Sequence, residues 1–444
     1  MRTTRSLLAL AIFTAVGTAH AQNPSQTGGS VTQSGSTGNG VPFGPMTLFP
    51  TLGVSVLMES NVARTSSNEI DSFVTQISPG LRLVGSGSVT TVSFQYQGDV
   101  ARYADSSIDN YDKHTFAAQV DYAPTSRVNV GAVANYELGQ DPRGTGAREG
   151  DQLALRPLKP DEWKRAGVQG SLSYGAESAR GQFEANAGTS KINYDDVQVA
   201  NGFTRAQVCS PVSGLDPCDY ARFRDHRTSF IDGTFFLRVA PKTSALVSVS
   251  QRTFSYDEAP SALRGGSLDS TETAYYAGVR WDATARTSGT AKIGRVKKDF
   301  DSNRSDYTGT AYELGVQWSP RSYSQVQVLG SRNTRETNGF GDFVVTRVLS
   351  AAWTHEWTPR INSSLDVGFG NNQTEGSIGF TRPEIRDEDF NYFGVSGRYQ
   401  LADWLQIGAG YKYYKNESNT SRLLTDPVFD YDRSVFILSL EGSL

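Results

Sequence analysis

The feature that most narrows the fold is a two-residue alternation that does not stop. From about Met46 to the C-terminus, segments of roughly ten to fifteen residues alternate apolar and polar side chains. Val128, Val130, Ala132, Ala134 and Tyr136 interleave with Asn129, Gly131, Asn135 and Glu137. Phe116, Ala118, Val120 and Tyr122 interleave with Thr115, Gln119 and Asp121. Leu405, Ile407, Ala409, Tyr411 and Tyr413 interleave with Gln406, Gly408, Gly410, Lys412 and Tyr414. Successive strand residues point to opposite faces, so each segment has one apolar and one polar face. A soluble sandwich also alternates, but its strands average about five or six residues. Strands of about nine to eleven residues or more, apolar outward and polar inward, fit a transmembrane barrel.

The connections supply a topology. Tight turns fall at Gly85–Ser88, Pro124–Arg127, Gly175–Arg180, Pro241–Thr243, Thr284–Thr287, Pro320–Ser322, Pro359-Arg360 and Ala402–Trp404. Longer polar loops fall near 60–69, 105–110, 141–161, 195–223, 258–268, 301–304, 337–341, 376–386 and 419–429. The two sets alternate strictly, giving eighteen candidate strands. Short turns on the periplasmic side and longer loops outside are the outer-membrane arrangement. The fold expected is therefore all-β, an antiparallel up-and-down transmembrane barrel of about 18 strands over 46–444. Turns of one style recur about every forty residues or a multiple of that, from YAPTS at Tyr122 to WTPRI at Trp357, one hairpin per repeat.

Composition agrees where it bears on the choice. Gly (44), Phe (22) and Tyr (20) are abundant while Met (3) and Cys (2) are scarce, which suits strands and turns. No long apolar run follows the N-terminus, which excludes a multi-span helical protein. A net charge of −4 gives no basic face for nucleic acid. At the N-terminus, Arg2 and Arg5 precede the apolar run Leu7–Val16 and the small-x-small site Ala19-His20-Ala21. This predicts a cleavable signal peptide over 1–21 and delivery to the bacterial outer membrane. Residues 22–45, rich in Gly, Ser, Gln, Asn and Thr, read as a flexible periplasmic tail.

Tyr122, Trp281, Trp318, Trp357 and Trp404 each lie near a tight turn, the place of a periplasmic aromatic girdle. The chain ends in an amphipathic strand, Phe436 to Leu444, of the kind the barrel-assembly machinery reads. Outer-membrane lipid is the other partner such a wall requires.

Several stretches resemble the beta-barrel porin family of the second type. They are SPGLRL (Ser78–Leu83), QDPRG (Gln140–Gly144), RVAPKTS (Arg238–Ser244) and the long run from Asp269 to Gly294. KKDFD (Lys297–Asp301), WSPRSYS (Trp318–Ser324) and the C-terminal FDYDRSVFILSLEGSL complete the set. The resemblance implies a barrel serving capsule or exopolysaccharide export, with periplasmic export proteins and a polysaccharide as partners. It carries no catalytic residues.

A barrel of sixteen to eighteen strands encloses water. The candidates to line it are Asp99, Asp121, Glu137, Glu184, Asp232, Arg238, Arg280, Asp282, Lys292, Glu313, Asp366, Arg398 and Lys412, mixed in sign. Tyr276, Tyr392 and Tyr414 are candidate platforms for sugar rings. The third loop carries Arg143, Arg148, Glu149, Asp151 and Arg156, and by analogy with classical porins an inward fold would make it a constriction with charges across the pore. Cys209 and Cys218, in the longest loop, are expected to form a disulfide in the oxidising export route. No tetrahedral Cys/His set, G-x-S-x-G elbow or H-E-x-x-H appears, so neither metal, cofactor nor enzymatic activity is expected. Three functions remain: a passive pore for polysaccharide secretion, a diffusion porin for small hydrophilic solutes, and a structural or adhesive surface protein.

Overall fold

The computed structural model describes residues 38–176, 179–209, 218, 221–259, 266–284, 286–337, 341–376, 386–419 and 428–444. The segment 1–21 expected to be a signal peptide and most of the expected tail lie outside them.

A three-residue strand, β1 (Val41–Phe43), precedes eighteen long ones. The first half of the wall is β2 (Met46–Glu59), β3 (Ser72–Ser86), β4 (Thr90–Tyr103), β5 (Tyr111–Thr125), β6 (Val128–Asp141), β7 (Asp161–Tyr174), β8 (Gly181–Tyr194), β9 (His226–Ala240) and β10 (Thr243–Tyr256). The second half is β11 (Ser270–Thr284), β12 (Thr287–Phe300), β13 (Tyr307–Arg321), β14 (Ser324–Glu336), β15 (Phe343–Thr358), β16 (Ile361–Glu375), β17 (Arg386–Ala402), β18 (Leu405–Ser418) and β19 (Tyr431–Ser443). Each pairs antiparallel with its chain neighbours, and β19 pairs with β2 from Val435↔Glu59 to Ser443↔Thr51. The ring closes with eighteen strands and leaves no long edge exposed.

The faces are inverted relative to a soluble protein. On β2, Leu52, Val54, Val56 and Met58 are exposed, while the intervening Leu57 and Glu59 are buried. The same exposed apolar stripe runs along β9 (Ile231, Phe235, Leu237, Val239) and β15 (Leu349, Trp357). So much outward apolar surface is stable only against lipid. Among the described residues no helix is long and apolar enough to cross a membrane; strands do the crossing.

Repeated turn chemistry has a visible cause. The Thr125 hydroxyl accepts from the backbone N–H of Arg127 and Val128, and the Thr358 hydroxyl accepts from Arg360 and Ile361 in the same way. Two periplasmic turns are thus closed by one device, a side-chain acceptor replacing a backbone one.

Two features depart from a plain barrel. The end of the expected flexible tail, Val41–Phe43, forms β1 on the edge of β2. Its place is vacant because β19 stops opposite Thr51, leaving Met46–Leu48 unpaired on that side. Higher up, β13 and β14 part. Their pairing ends at Tyr312↔Arg332, while β14 and β15 stay paired to Glu336↔Phe343. Above that level the β14–β15 hairpin turns inward.

Candidate functional site: the lumen and its outer mouth

Inward positions of the strands carry all the lining candidates. Three pairs bridge strands at different heights in the lumen: Arg280–Glu184 (3.2 Å) toward the periplasmic end, Lys292–Glu313 (2.9 Å) near the middle and Arg165–Glu137 (3.4 Å) toward the outer end. Their side chains are 20–31% exposed, so water reaches them from the lumen. Arg280 also stacks on Phe236 at 3.7 Å. Asp121 accepts from Gln119, and Asp99 accepts from Gln76 and Ser78. Asp366 faces Gly394 in register, where a Cβ would come within 2.6 Å of its carboxylate. Asp232 and Arg238 alternate inward on β9, as do Arg398 on β17 and Lys412 on β18. Asp282 sits at the periplasmic rim, its N–H bonded to the Lys242 carbonyl.

The outer end differs sharply. The third loop, between β6 and β7, crosses the lumen and packs against the far wall. Glu149 pairs with Arg386 at the head of β17, 237 residues away in the chain. A small polar cavity is enclosed between Gly144, Thr145, Glu149 and Gly150 of the loop and the inward residues Asn372, Glu388, Tyr414 and Asn416. Gly144 (φ +71) and Gly150 (φ +86) permit the approach; a Cβ on Gly144 would lie 2.1 Å from the Ala63 carbonyl.

The charges of the loop are consumed by these contacts. Arg143 binds Asp109, Arg148 binds Asp161, and Asp151 accepts from Ser66 and Ser67. Arg156 donates to the Val208 carbonyl at 2.6 Å and so braces the fourth loop. The loop is inward, but its charges do not face one another across open water. Arg224 joins the cluster through Asp141 at 2.6 Å and stacks on Tyr194 at 4.0 Å. Burial alone would lower its pKa; Tyr194, Asp141 and Asp161 outweigh this and raise it. Burial lowers that of Arg148 despite Asp161 beside it.

A second lid meets the first. From the inturned hairpin, Thr334 bonds Glu272, Glu336 pairs with Lys298, and Phe343 packs on Phe300 and Tyr307. Lys298 is fully buried, lies 4.1 Å from the Phe254 ring centroid, and shares Glu336 with the Tyr256 hydroxyl. Arg304 pairs with Asp342 above it.

The remaining candidates fall as follows. Cys209 and Cys218 are joined by a disulfide, Cα atoms 5.4 Å apart, with Cys218 packed among Leu158, Val197 and Val208. Tyr122, Trp281, Trp318, Trp357 and Trp404 lie at the periplasmic end, the first four at outward positions. Of the candidate sugar platforms, Tyr414 is buried between Phe390 and Tyr431, and Tyr276 carries Lys292 at 4.6 Å. The sequence reading did not single out Glu59, Arg433, Lys298, Glu336, Arg386 or Glu388, which form the outer ion pairs. All are charged residues within three positions of the outer end of a strand, and that placement was the available signal. Among the described residues no cluster of three metal-ligating side chains occurs.

A closed eighteen-stranded barrel with a lipid-facing apolar belt and a polar, water-accessible interior defines an outer-membrane porin-like protein. The family model described as "Putative beta-barrel porin 2" matches residues 37–443, and the chain belongs to that family. No curated protein sequence matches it. Solved structures to which the chain is similar include Pseudomonas aeruginosa OpdQ (12% identity, TM-score 0.44, covering 89% of this chain and 99% of that one). The FrpB iron transporter from Neisseria meningitidis matches at 10% identity and TM-score 0.48, covering 91% and 83%. The ferric citrate transporter FecA matches at 11% and 0.46, covering 88% of this chain but only 63% of its own length.

Proposed function

We propose that this barrel is a passive channel for small hydrophilic solutes, narrowed at its outer mouth by the third loop. The observation that carries the reading is the Glu149–Arg386 pair, which fixes the loop across the lumen. Partly exposed pairs of both signs below it would let a hydrated solute pass by weak, distributed contacts. Polysaccharide secretion, implied by the family resemblance, needs a mouth wide enough for a polymer, and the loop and inturned hairpin stand in that path. No catalytic role is assigned to any residue.

The deciding experiment is single-channel conductance in a planar bilayer, with and without residues 142–160. Small, steady steps in the parent and larger ones after deletion support the reading. Silence in both forms would remove it. Large steps in the parent, unaltered by deletion, would return the polymer pore to first place.

A further inference from the structure

We propose that the lipid-facing surface of β12–β15, at its outer end, binds the phosphate groups of an anionic glycolipid in the outer leaflet. The site is a row of three arginines: Arg295 on β12, Arg332 on β14 and Arg347 on β15. Each continues the outward stripe of its strand. Ile293 lies below Arg295, Val326, Val328 and Gly330 below Arg332, and Trp357, His355, Trp353, Ala351 and Leu349 below Arg347.

Their height follows from strand geometry. About ten residues separate the periplasmic Trp357 from Arg347; at about 3.4 Å each and a tilt near 40° they rise roughly 26 Å, against an apolar band about 25 Å tall. The guanidinium groups therefore emerge where outer-leaflet headgroups begin.

Their partners set them apart. Four other outward basic residues near this level are paired with carboxylates: Arg102 with Asp112 (2.7 Å), Lys164 with Asp195 (2.9 Å), Lys297 with Asp299 (2.7 Å) and Lys415 with Glu417 (2.7 Å). Arg332 instead donates to the Thr310 carbonyl and the Tyr307 hydroxyl, and Arg347 donates to Gln373 at 3.5 Å. Arg332 and Arg347 stand directly opposite each other in register, an arrangement of like charges that opposes strand pairing. Arg295 faces Thr310 across the next pair. The parting of β13 from β14 makes the row possible: the Thr310 carbonyl, lacking a β14 partner, is capped by Arg332 and draws that side chain toward Arg295. Asp387 and Asp389, the carboxylates of β17 on this side, are engaged by Asn371. A phosphate between Arg295 and Arg332, which meet over Thr310, would accept paired N–H donors from planar guanidinium groups, with Arg347 adding its charge beside them.

The test titrates detergent-purified protein with bisphosphorylated lipid A, its dephosphorylated form, and phosphatidylglycerol, reading bound lipid by native mass spectrometry. Bisphosphorylated lipid A should be retained over both others. The triple variant Arg295→Gln/Arg332→Gln/Arg347→Gln should lose that retention by about fivefold per charge, and Lys415→Gln should not. If the triple variant does not fold, Arg295→Gln/Arg347→Gln, which leaves the Arg332 bonds in place, decides. Equal retention by parent and variant overturns the site. So does a parent that binds no lipid A, or that holds phosphatidylglycerol equally well.

Discussion

The guanidinium of Arg386 on β17 donates to Glu149 of the third loop and, at 2.9 Å, to Glu388 two residues along its own strand. One cation thus holds two carboxylates inside the barrel. Replacing Arg386 with Ala strands both, and breaking such a buried pair costs about 3–5 kcal/mol. The variant should lose the crossed position of the loop, giving larger conductance steps and a lower thermal midpoint. Conductance and midpoint both equal to the parent would show that the pair does not hold the loop.

Ion selectivity should follow the partly exposed lumen pairs. Lys292→Gln leaves Glu313 without its partner at a water-accessible position. A partly screened charge contributes roughly 0.2–1 kcal/mol, so the cation-to-anion permeability ratio should rise about 1.4- to fivefold. Reversal potentials across a KCl gradient measure this, and a shift toward anions would contradict it.

Lys298 pins the inturned hairpin to β12. Lys298→Met buries Glu336 without a cation; the amides of 333–336 and 343–346 should then exchange hydrogen faster. Adding Glu336→Gln should restore most of the protection, because the stranded charge is gone. Unchanged exchange in the single variant would rule out the pair as the latch.

The Cys209–Cys218 bridge lies outside the wall. Closing so short a loop is worth about 2–3 kcal/mol of local stability. Cys209→Ser/Cys218→Ser should hasten proteolytic nicking between 195 and 225 while leaving the heat resistance of the barrel unaltered. A fall in barrel stability would mean that the fourth loop braces the wall.

Trp281, Trp318 and Trp357 face outward near the periplasmic turns, Trp357 being 59% exposed. In vesicles of brominated lipid their fluorescence should be quenched most by bromine placed near the headgroup. Strongest quenching by bromine at the chain ends would place these rings at mid-membrane and disprove the girdle.

The strands were readable because their signal is local. Alternation along Val128–Tyr136 or Leu405–Tyr414 tells which face meets lipid, and Thr125 and Thr358 close turns within a few residues of themselves. Inward charges such as Lys292 and Glu313 follow from the same period. The pattern is silent on depth. Glu59, Lys298 and Glu388 read like any other lumen position, yet each is buried, because partners from β19, the inturned hairpin and the third loop close over them. Val41–Phe43 read as tail from composition, but its pairing depends on where β19 ends.

By itself, then, the sequence determined a lipid-facing barrel of eighteen strands, with its turns on one side and its loops on the other. Strand period and turn chemistry are properties of neighbouring residues, and they suffice for that. Only the tertiary structure decided that the mouth is narrowed and that three arginines align on one outward face. Both depend on ring closure and register, which set β17 across the lumen from β6 and let β14 leave β13, and no local pattern encodes either distance.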